Sequence, residues 1–361
     1  MSVNANFERY PPTTNASLQV SGAPDELLLQ WAAEQVLPRH RPMVLHDRFG
    51  VVAVRLGQPC RFVAAYHSQE EALRRNGGGF QTPVADLFAV QEPVERALLR
   101  VPKSLDLWTV YLQMIAAAAG PDTRVAAGFM TKHFTPRMLE IAAQFAEEVG
   151  QSRAWRKARL LLLSGFRPVA TPAAPEFSLR EVDYAGHRYR QYYGVFSAER
   201  IDHATRFLLD EWGRSSLRFD PAPATILDLA CGNGIIGGEL LRRYPGARLV
   251  ATDDALLAVR SARLNLPPDR AEVRYAHTLD SVETGSQDLV VTNPPFHFGH
   301  ENNIEVSLGL FRQARRVVRP GGSLVIVANA HLNYATHLQP LFAVVQEVAH
   351  DRRYVIYRCE A

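Results

Sequence analysis

The chain has 361 residues, 47% of them hydrophobic and 21% charged, which is a globular composition too long for one typical core, so two domains are expected. A net charge of +3 neither requires nor excludes a nucleic-acid partner. Cys60, Cys231 and Cys359 form neither a disulfide framework nor a metal-ligand spacing, and there is no signal-like N-terminus or membrane-length apolar run, so the expected setting is the cytoplasm, without disulfides, metal or membrane.

In chain order, the first apolar strand ends in His46-Asp47-Arg48-Phe49-Gly50, a turn with one glycine. Residues 61–76 have a strand-turn-helix rhythm, and 98–101 form a strand closed by Pro102-Lys103-Ser104. Residues 111–127 end a helix at Gly120-Pro121 and open another strand. Arg153, Arg156, Lys157 and Arg159 cluster, a pattern that is most often a solvated face. The stretch 164–178 is rich in proline and alanine, which predicts a first domain over 1–165, a linker over 166–180 and a second domain over 181–361. Residues 183–196, with Tyr184, Tyr189, Tyr192 and Tyr193, read as an extended lead-in.

The second half carries the cleaner pattern. Residues 225–230 are an apolar strand ended by Cys231-Gly232-Asn233-Gly234, with a helix over 235–244 broken by Pro245-Gly246. A strand over 248–252 closes with Asp253-Asp254 ahead of a helix over 255–264. A third strand, 288–292, feeds into Asn293-Pro294-Pro295, and a helix over 306–318 leads through Pro320-Gly321-Gly322 to a strand over 323–328. This alternation predicts an α/β fold with a parallel sheet and helices on both faces. Residues 61–76 match 248–265, 98–104 match the region of 288–295, and 111–127 match 310–328, so the chain reads as two copies of one plan. The first copy has Tyr66-His67 in place of Asp253-Asp254 and Val101-Pro102-Lys103 in place of Asn-Pro-Pro, so it is expected to hold no cofactor.

In the second copy, Asp228-Leu-Ala-Cys-Gly232-Asn-Gly234 follows a strand and opens a helix, where glycines let the backbone approach a ligand. Asp253, at the end of the next strand, can accept two ribose hydroxyls. Asn293-Pro294-Pro295-Phe296 has its own chemistry. The Asn293 amide oxygen and the Pro294 carbonyl can each accept one N–H of an exocyclic base amine, the prolines fix the loop's shape, and Phe296 offers a ring for a flipped-out base.

Together these features resemble the class I, Rossmann-like methyltransferases. The tetrad resembles the loop of amino-methyltransferases and, with His297 after it, the bacterial ribosomal RNA guanine-N2 methyltransferases, which are built as two tandem domains with the first degenerate. The large-subunit (23S rRNA) type is the more similar, through Phe7-Glu8-Arg9-Tyr10-Pro11, Val101-Pro102-Lys103-Ser104-Leu105, Ala154-Trp155-Arg156-Lys157-Ala158-Arg159 and Val327-Ala328-Asn329-Ala330-His331-Leu332. The resemblance implies S-adenosyl-L-methionine as cofactor and S-adenosyl-L-homocysteine as product. Gly232 and Gly234 would line the methionine part, Asp253 would hold the ribose, His277 or Thr278 would flank the adenine, and Asp228 and Asn293 would complete the set. Ala230 departs from the family, which usually has glycine there. Phe196, Phe296, His297, Lys103, Arg156 and Lys157 are candidate substrate contacts, with a ribosomal RNA as partner. The alternatives are the same chemistry on 16S rRNA, adenine N6 or a protein glutamine, and a catalytically silent RNA-binding assembly protein. No oligomeric state follows from the sequence.

Overall fold

Residues Thr225–Leu229 form a strand whose apolar side chains go to opposite faces. Ile226 packs in one buried cluster with Leu240, Leu249 and Val291, while Leu227 and Leu229 pack in another with Val290, Phe311 and Ile326. Burial on both faces is what a central strand between two helix layers requires. The computed structural model describes residues 7–15, 18–35, 40–77, 84–85, 87, 92–167, 179–197, 200–214, 217–295, 297–298, 301–302 and 304–361. The chain divides into two units, Met1–Ser178 and Leu179–Ala361. Of the predicted linker, residues 168–178 lie outside the described residues.

In the first unit, α1 (Ala23–Glu34) precedes β1 (Met43–Leu45), α2 (Val51–Arg55), β2 (Arg61–Val63), α3 (His67–Gly77), β3 (Val84–Ala85) and β4 (Val94–Arg100). Then follow α4 (Leu105–Ala117), β5 (Ala119–Met130), α5 (Pro136–Phe145), β6 (Ala146–Gln151) and β7 (Ala158–Phe166). The second unit begins with a hairpin, β8 (Leu179–Tyr184) and β9 (His187–Tyr192), where the sequence suggested only an extended lead-in. It continues with α6 (His203–Gly213), β10 (Thr225–Leu229), α7 (Ile235–Arg243), β11 (Arg248–Asp253), α8 (Leu256–Asn265), β12 (Ala271–Tyr275) and β13 (Gln287–Thr292). After the short pair β14 (His297–Phe298) and β15 (Glu301–Asn302) come α9 (Ile304–Val317), β16 (Val318–Asn329), α10 (Ala335–Leu338), β17 (Val344–His350) and β18 (Tyr354–Glu360).

The two large sheets have one topology. The strand orders are β3-β2-β1-β4-β5-β7-β6 and β12-β11-β10-β13-β16-β18-β17. Five strands of each run parallel, and the last two complete each sheet in antiparallel pairing, so neither sheet is parallel throughout as the sequence pattern had suggested. Even an irregularity repeats: the register slips between Val94 and Arg96 against β5, and between Gln287 and Leu289 against β16.

The first turn is built alike in both units. His46 and Ala230 follow β1 and β10 in left-handed conformations, with φ of 55° and 60°, and Gly50 and Gly234, at 74° and 80°, cap α2 and α7. Three residues past each cap, a buried amide is met by a carboxylate: Ala53 N–H donates to Asp47 at 2.9 Å, and Gly237 N–H donates to Asp228 at 2.8 Å. The acid comes from the turn in one unit and from the strand in the other. Pairing also refines the comparison of the halves. Leu45 faces Val63 and Leu99, and Leu229 faces Thr252 and Thr292. The residue matching Asp253 is therefore Ala64, two before Tyr66, and the residue matching Asn293 is Arg100, one before Val101. In the second unit the chain turns from β10 to one side of the sheet and returns to the other at β13, leaving a crevice at their C-terminal ends, the usual ligand position in such sheets.

Candidate active site

Three left-handed residues, Ala230, Gly232 and Gly234, alternate along the turn after β10. Positive φ costs an L-residue about 1 kcal/mol, a strain borne at Ala230 alone of the three. The two glycines serve different ends. A Cβ built on Gly232 would meet nothing within 4 Å, so the backbone there faces open space, whereas one on Gly234 would press on Leu266 and Ala262 at 3.1–3.2 Å. Gly232 is thus the glycine with room for a ligand, and Gly234 permits helix packing.

Asp253 organises the site. Its Oδ2 accepts the Gly232 N–H at 2.9 Å, its Oδ1 accepts the Ala255 N–H at 2.8 Å, and its main-chain carbonyl accepts the Ala276 N–H at 3.0 Å. Its carboxyl is pushed up to about 6 by burial, against the lowering effect of the Ala255 and Gly232 amides. The last of these bonds brings His277 and Thr278, both half-buried, just beyond β12 beside the Asp253 strand end. Thr278 Oγ1 donates to Asp280 at 2.9 Å. Asp228 sits beneath the loop: it is fully buried, its carboxyl is raised to about 7 by burial, and its Oδ1 has no hydrogen-bond partner among the described residues. Its place is under the ligand-facing backbone, which it steadies through the Gly237 amide.

A second set of polar contacts escaped sequence reasoning. Asn233 Nδ2 donates to Gln191 Oε1 at 2.7 Å, and Gln191 in turn donates to the Ser197 carbonyl at 3.0 Å. Asn265 donates to the carbonyls of Arg190 and Asn233, both at 2.8 Å. These bonds bind β9 and the following turn to the Gly232 loop. The turn they hold carries Phe196, which is 66% exposed beside buried Val195.

At the end of β13, Asn293 is half-buried, Pro294 buried and Pro295 exposed. Asn293 Nδ2 donates to Asp202 Oδ2 at 2.9 Å and to Thr205 Oγ1 at 3.0 Å. A carboxylate can only accept, so it fixes which edge of the amide carries nitrogen. The amide oxygen is turned away from α6. Ser307 Oγ donates to the carbonyl of Pro295 at 2.6 Å, so Pro295 is held by α9 while Pro294 supplies the other candidate carbonyl. Phe296 lies outside the described residues, and of His297 only the backbone, in β14, is described.

In the first unit, Trp155 and Ala158 exchange both backbone hydrogen bonds, at 2.9 and 2.8 Å, around a two-residue turn of Arg156 (φ 46°) and Lys157 (φ 61°). Such turns are commonly Asn-Gly or Gly-Gly; here two cations occupy them. Trp155 is 40% exposed, with the Arg156 guanidinium 4.6 Å from its ring centroid. Thr131 donates twice to the Lys157 carbonyl, which joins this hairpin to the end of β5. Burial, followed by the positive charges of Lys132, Lys103 and Arg100, holds the His133 imidazole below its usual range. Lys103 and Lys132 therefore share one end of this sheet. Lys132 lies outside the basic clusters visible in the sequence.

Two family models divide the chain: the RLMG N-terminal domain matches residues 2–168 and the methyltransferase small domain matches residues 187–358. The ribosomal RNA large subunit methyltransferase G of Streptomyces coelicolor is 34% identical, over 98% of this chain and 97% of the relative. That of Pseudomonas fluorescens is 32% identical, over 97% and 96%. The chain belongs to the ribosomal RNA large subunit methyltransferase G family. Its fold is that of a solved relative, the T. thermophilus 16S rRNA N2 G1207 methyltransferase in complex with AdoMet and guanosine, with a TM-score of 0.76 over 99% of this chain and 93% of that one at 21% identity. No described helix is long and apolar enough to cross a membrane.

The buried Asp228 makes stability depend on pH. Its carboxyl is raised from 3.8 to about 7, so the native state keeps a proton that the unfolded chain releases, and stability falls as pH rises across that window. Asp228→Asn cannot ionise and keeps an oxygen for the Gly237 amide. Its advantage in unfolding free energy over the parent chain is expected to grow between pH 5 and 7, by up to about 1.4 kcal/mol per pH unit, and to level off above 7. Parallel pH–stability curves would contradict this.

Proposed function

We propose that this chain methylates the exocyclic N2 amine of a specific guanine in 23S rRNA, with S-adenosyl-L-methionine as cofactor, in the cytoplasm. The observation that carries this reading is the placement of an anchored Asn293 amide and an open Gly232 backbone at the two strand ends that form the crevice. The names of the curated relatives support the large-subunit RNA, and Asn293-Pro294-Pro295-Phe296-His297 supports an amine on guanine.

The residues fit the cofactor. Gly232 offers backbone that faces open space, Asp253 brings to the same rim a carboxylate able to accept from ribose hydroxyls, and His277 and Thr278 stand where an adenine would lie. S-adenosylmethionine, when bound, supplies an electrophilic methyl on a sulfonium; its transfer to nitrogen leaves S-adenosylhomocysteine, and the amine gives up one proton. The chain's own contribution is positioning and electrostatics. The Asn293 oxygen and the Pro294 carbonyl receive the two N–H groups of the amine, Phe296 and His297 contact the base, and Phe196 closes over the site from the β9 side. Ala230 is compatible with this, since its Cβ is accommodated at positive φ without displacing Gly232.

The first unit is the RNA-gripping half. Lys103, Arg156 and Lys157 contact phosphates, and the loss of the acid at Ala64 and of the amide at Arg100 leaves it without a cofactor site.

Three outcomes test these assignments. Asn293→Ala should bind S-adenosylmethionine with unchanged affinity in calorimetry and lose roughly 10²-fold or more in turnover; full activity would refute the amine-holding role. Cofactor affinity should weaken as pH falls through about 6, because protonation of Asp253 removes an acceptor for ribose hydroxyls, and Asp253→Ala should bind roughly 10-fold or more weakly at pH 8. Replacing Arg156 and Lys157 together by Ala should weaken RNA binding and flatten its salt dependence by about 0.7 per lost single-strand phosphate contact; an unchanged slope would reassign the hairpin to stability. The substrate itself is read by mapping which 23S rRNA guanine loses its N2-methyl when the gene is deleted. Loss of an adenine N6-methyl, or of none, would overturn it.

A further inference from the structure

We propose that Asp202 is a positioning residue for the reaction: it locks the Asn293 side-chain amide with its oxygen, rather than its nitrogen, toward the substrate amine. The proposal rests on the reading of Asn293 as the residue that holds that amine.

Asp202 is 91 residues from Asn293 in the chain and meets it only through the fold. It is the N-cap of α6, where one oxygen, Oδ2, accepts the backbone N–H of Ala204 at 3.0 Å and of Thr205 at 3.1 Å. The same oxygen takes the Asn293 Nδ2 at 2.9 Å, and Thr205 Oγ1 accepts from that nitrogen at 3.0 Å. The helix-start geometry therefore fixes the carboxylate, and the carboxylate fixes the amide. Both partners take the nitrogen, so a flipped amide would set oxygen against the carboxylate. An unrestrained asparagine can present either edge. An exocyclic amine offers N–H donors, and an amide nitrogen facing it would repel it. Asp202 thus keeps this position an acceptor and selects for an amine rather than a carbonyl.

The first unit supplies an internal comparison. Arg100 occupies the register of Asn293, and its Nε lies 3.4 Å from Oδ1 of Asp25. Asp25, in turn, accepts the N–H of Gly22, the N-cap of α1, at 2.7 Å. In both units a carboxylate serves the start of the helix that precedes the central strand, β1 or β10, and also grips the residue at the C-terminal end of the neighbouring strand, β4 or β13. The tie belongs to the duplicated frame. What differs is the group held: arginine has no acceptor edge, whereas a pinned amide has one. The same contact also favours Asn over Asp at 293, because a carboxylate there would face Asp202 directly, and two like charges in contact destabilise each other.

The test is a mutant cycle on the full chain, with turnover on rRNA lacking the modification, S-adenosylmethionine affinity by calorimetry, and thermal unfolding read on every variant. Asp202→Ala should lower kcat by about 30-fold or more, with KM for RNA and cofactor affinity changed less than threefold. Asp202→Asn, which retains an oxygen for the cap and for Asn293, should keep kcat within about fivefold of the parent. Asn293→Asp should lose turnover, and adding Asp202→Asn to it should restore about tenfold by removing one of the two like charges. Equal losses in Asp202→Ala and Asp202→Asn, or a double variant no better than Asn293→Asp, would overturn the proposal. Should Asp202→Ala fail to fold, the Asp202→Asn and Asn293→Asp cycle still decides. If the parent chain itself methylates no guanine, the substrate assignment fails separately, and the cycle is read on whichever amine is methylated.

Discussion

Three turns of the second unit hang on one residue. Asp253 takes an amide from the turn after β10 with one side-chain oxygen, an amide from its own following turn with the other, and an amide from the turn after β12 with its main-chain carbonyl. These bonds draw the C-terminal ends of β10, β11 and β12 into one rim. The Gly232 backbone faces open space because its N–H is held sideways by Asp253. The arrangement has a cost in charge: burial raises the Asp253 carboxyl, and Asp228 lies beneath the same loop. Hydroxyl donors from a ribose would offset that desolvation, so the burial of this carboxylate and its affinity for a ligand are two sides of one interaction.

Against this, the first unit keeps the frame and changes what faces the crevice. It retains the left-handed corner after β1, the capping glycine, the amide–carboxylate contact at the first helix and the slip in strand register. At the positions matching Gly232, Asp253 and Asn293 it carries Arg48, Ala64 and Arg100. Backbone-directed features are shared by the two sheets, whose strand orders are the same. Ligand-directed features are free to drift once a second copy performs the chemistry, and basic residues at the same edge suit a polyanion.

Much of this was legible in the sequence, and for identifiable reasons. Gly232, Gly234 and Asn293-Pro294-Pro295 stand out because positive φ and a fixed acceptor loop restrict residue choice locally. Ala230 was visible as a departure, and its φ of 60° shows that the backbone kept the glycine-like conformation with a methyl in place. Asp202, Thr205, Gln191 and Asn265 were not legible as site residues. Each acts across 32 to 91 residues of chain through side-chain polarity, which leaves no periodic trace. The misplaced matches at Tyr66 and Val101 have the same origin: apolar strands align equally well with a slip of one or two residues, and only the hydrogen-bonded register removes the choice. The antiparallel strands β6 and β17, with their largely exposed residues, lacked the apolar run that marked the central strands.

On this reading the duplicated fold holds a single cofactor site, framed by Gly232 and Asp253. Calorimetric titration of the full chain with S-adenosylmethionine tests it most directly. One site per chain is predicted, abolished or strongly weakened by Asp253→Ala. Two sites per chain, none, or one site indifferent to Asp253 would contradict it.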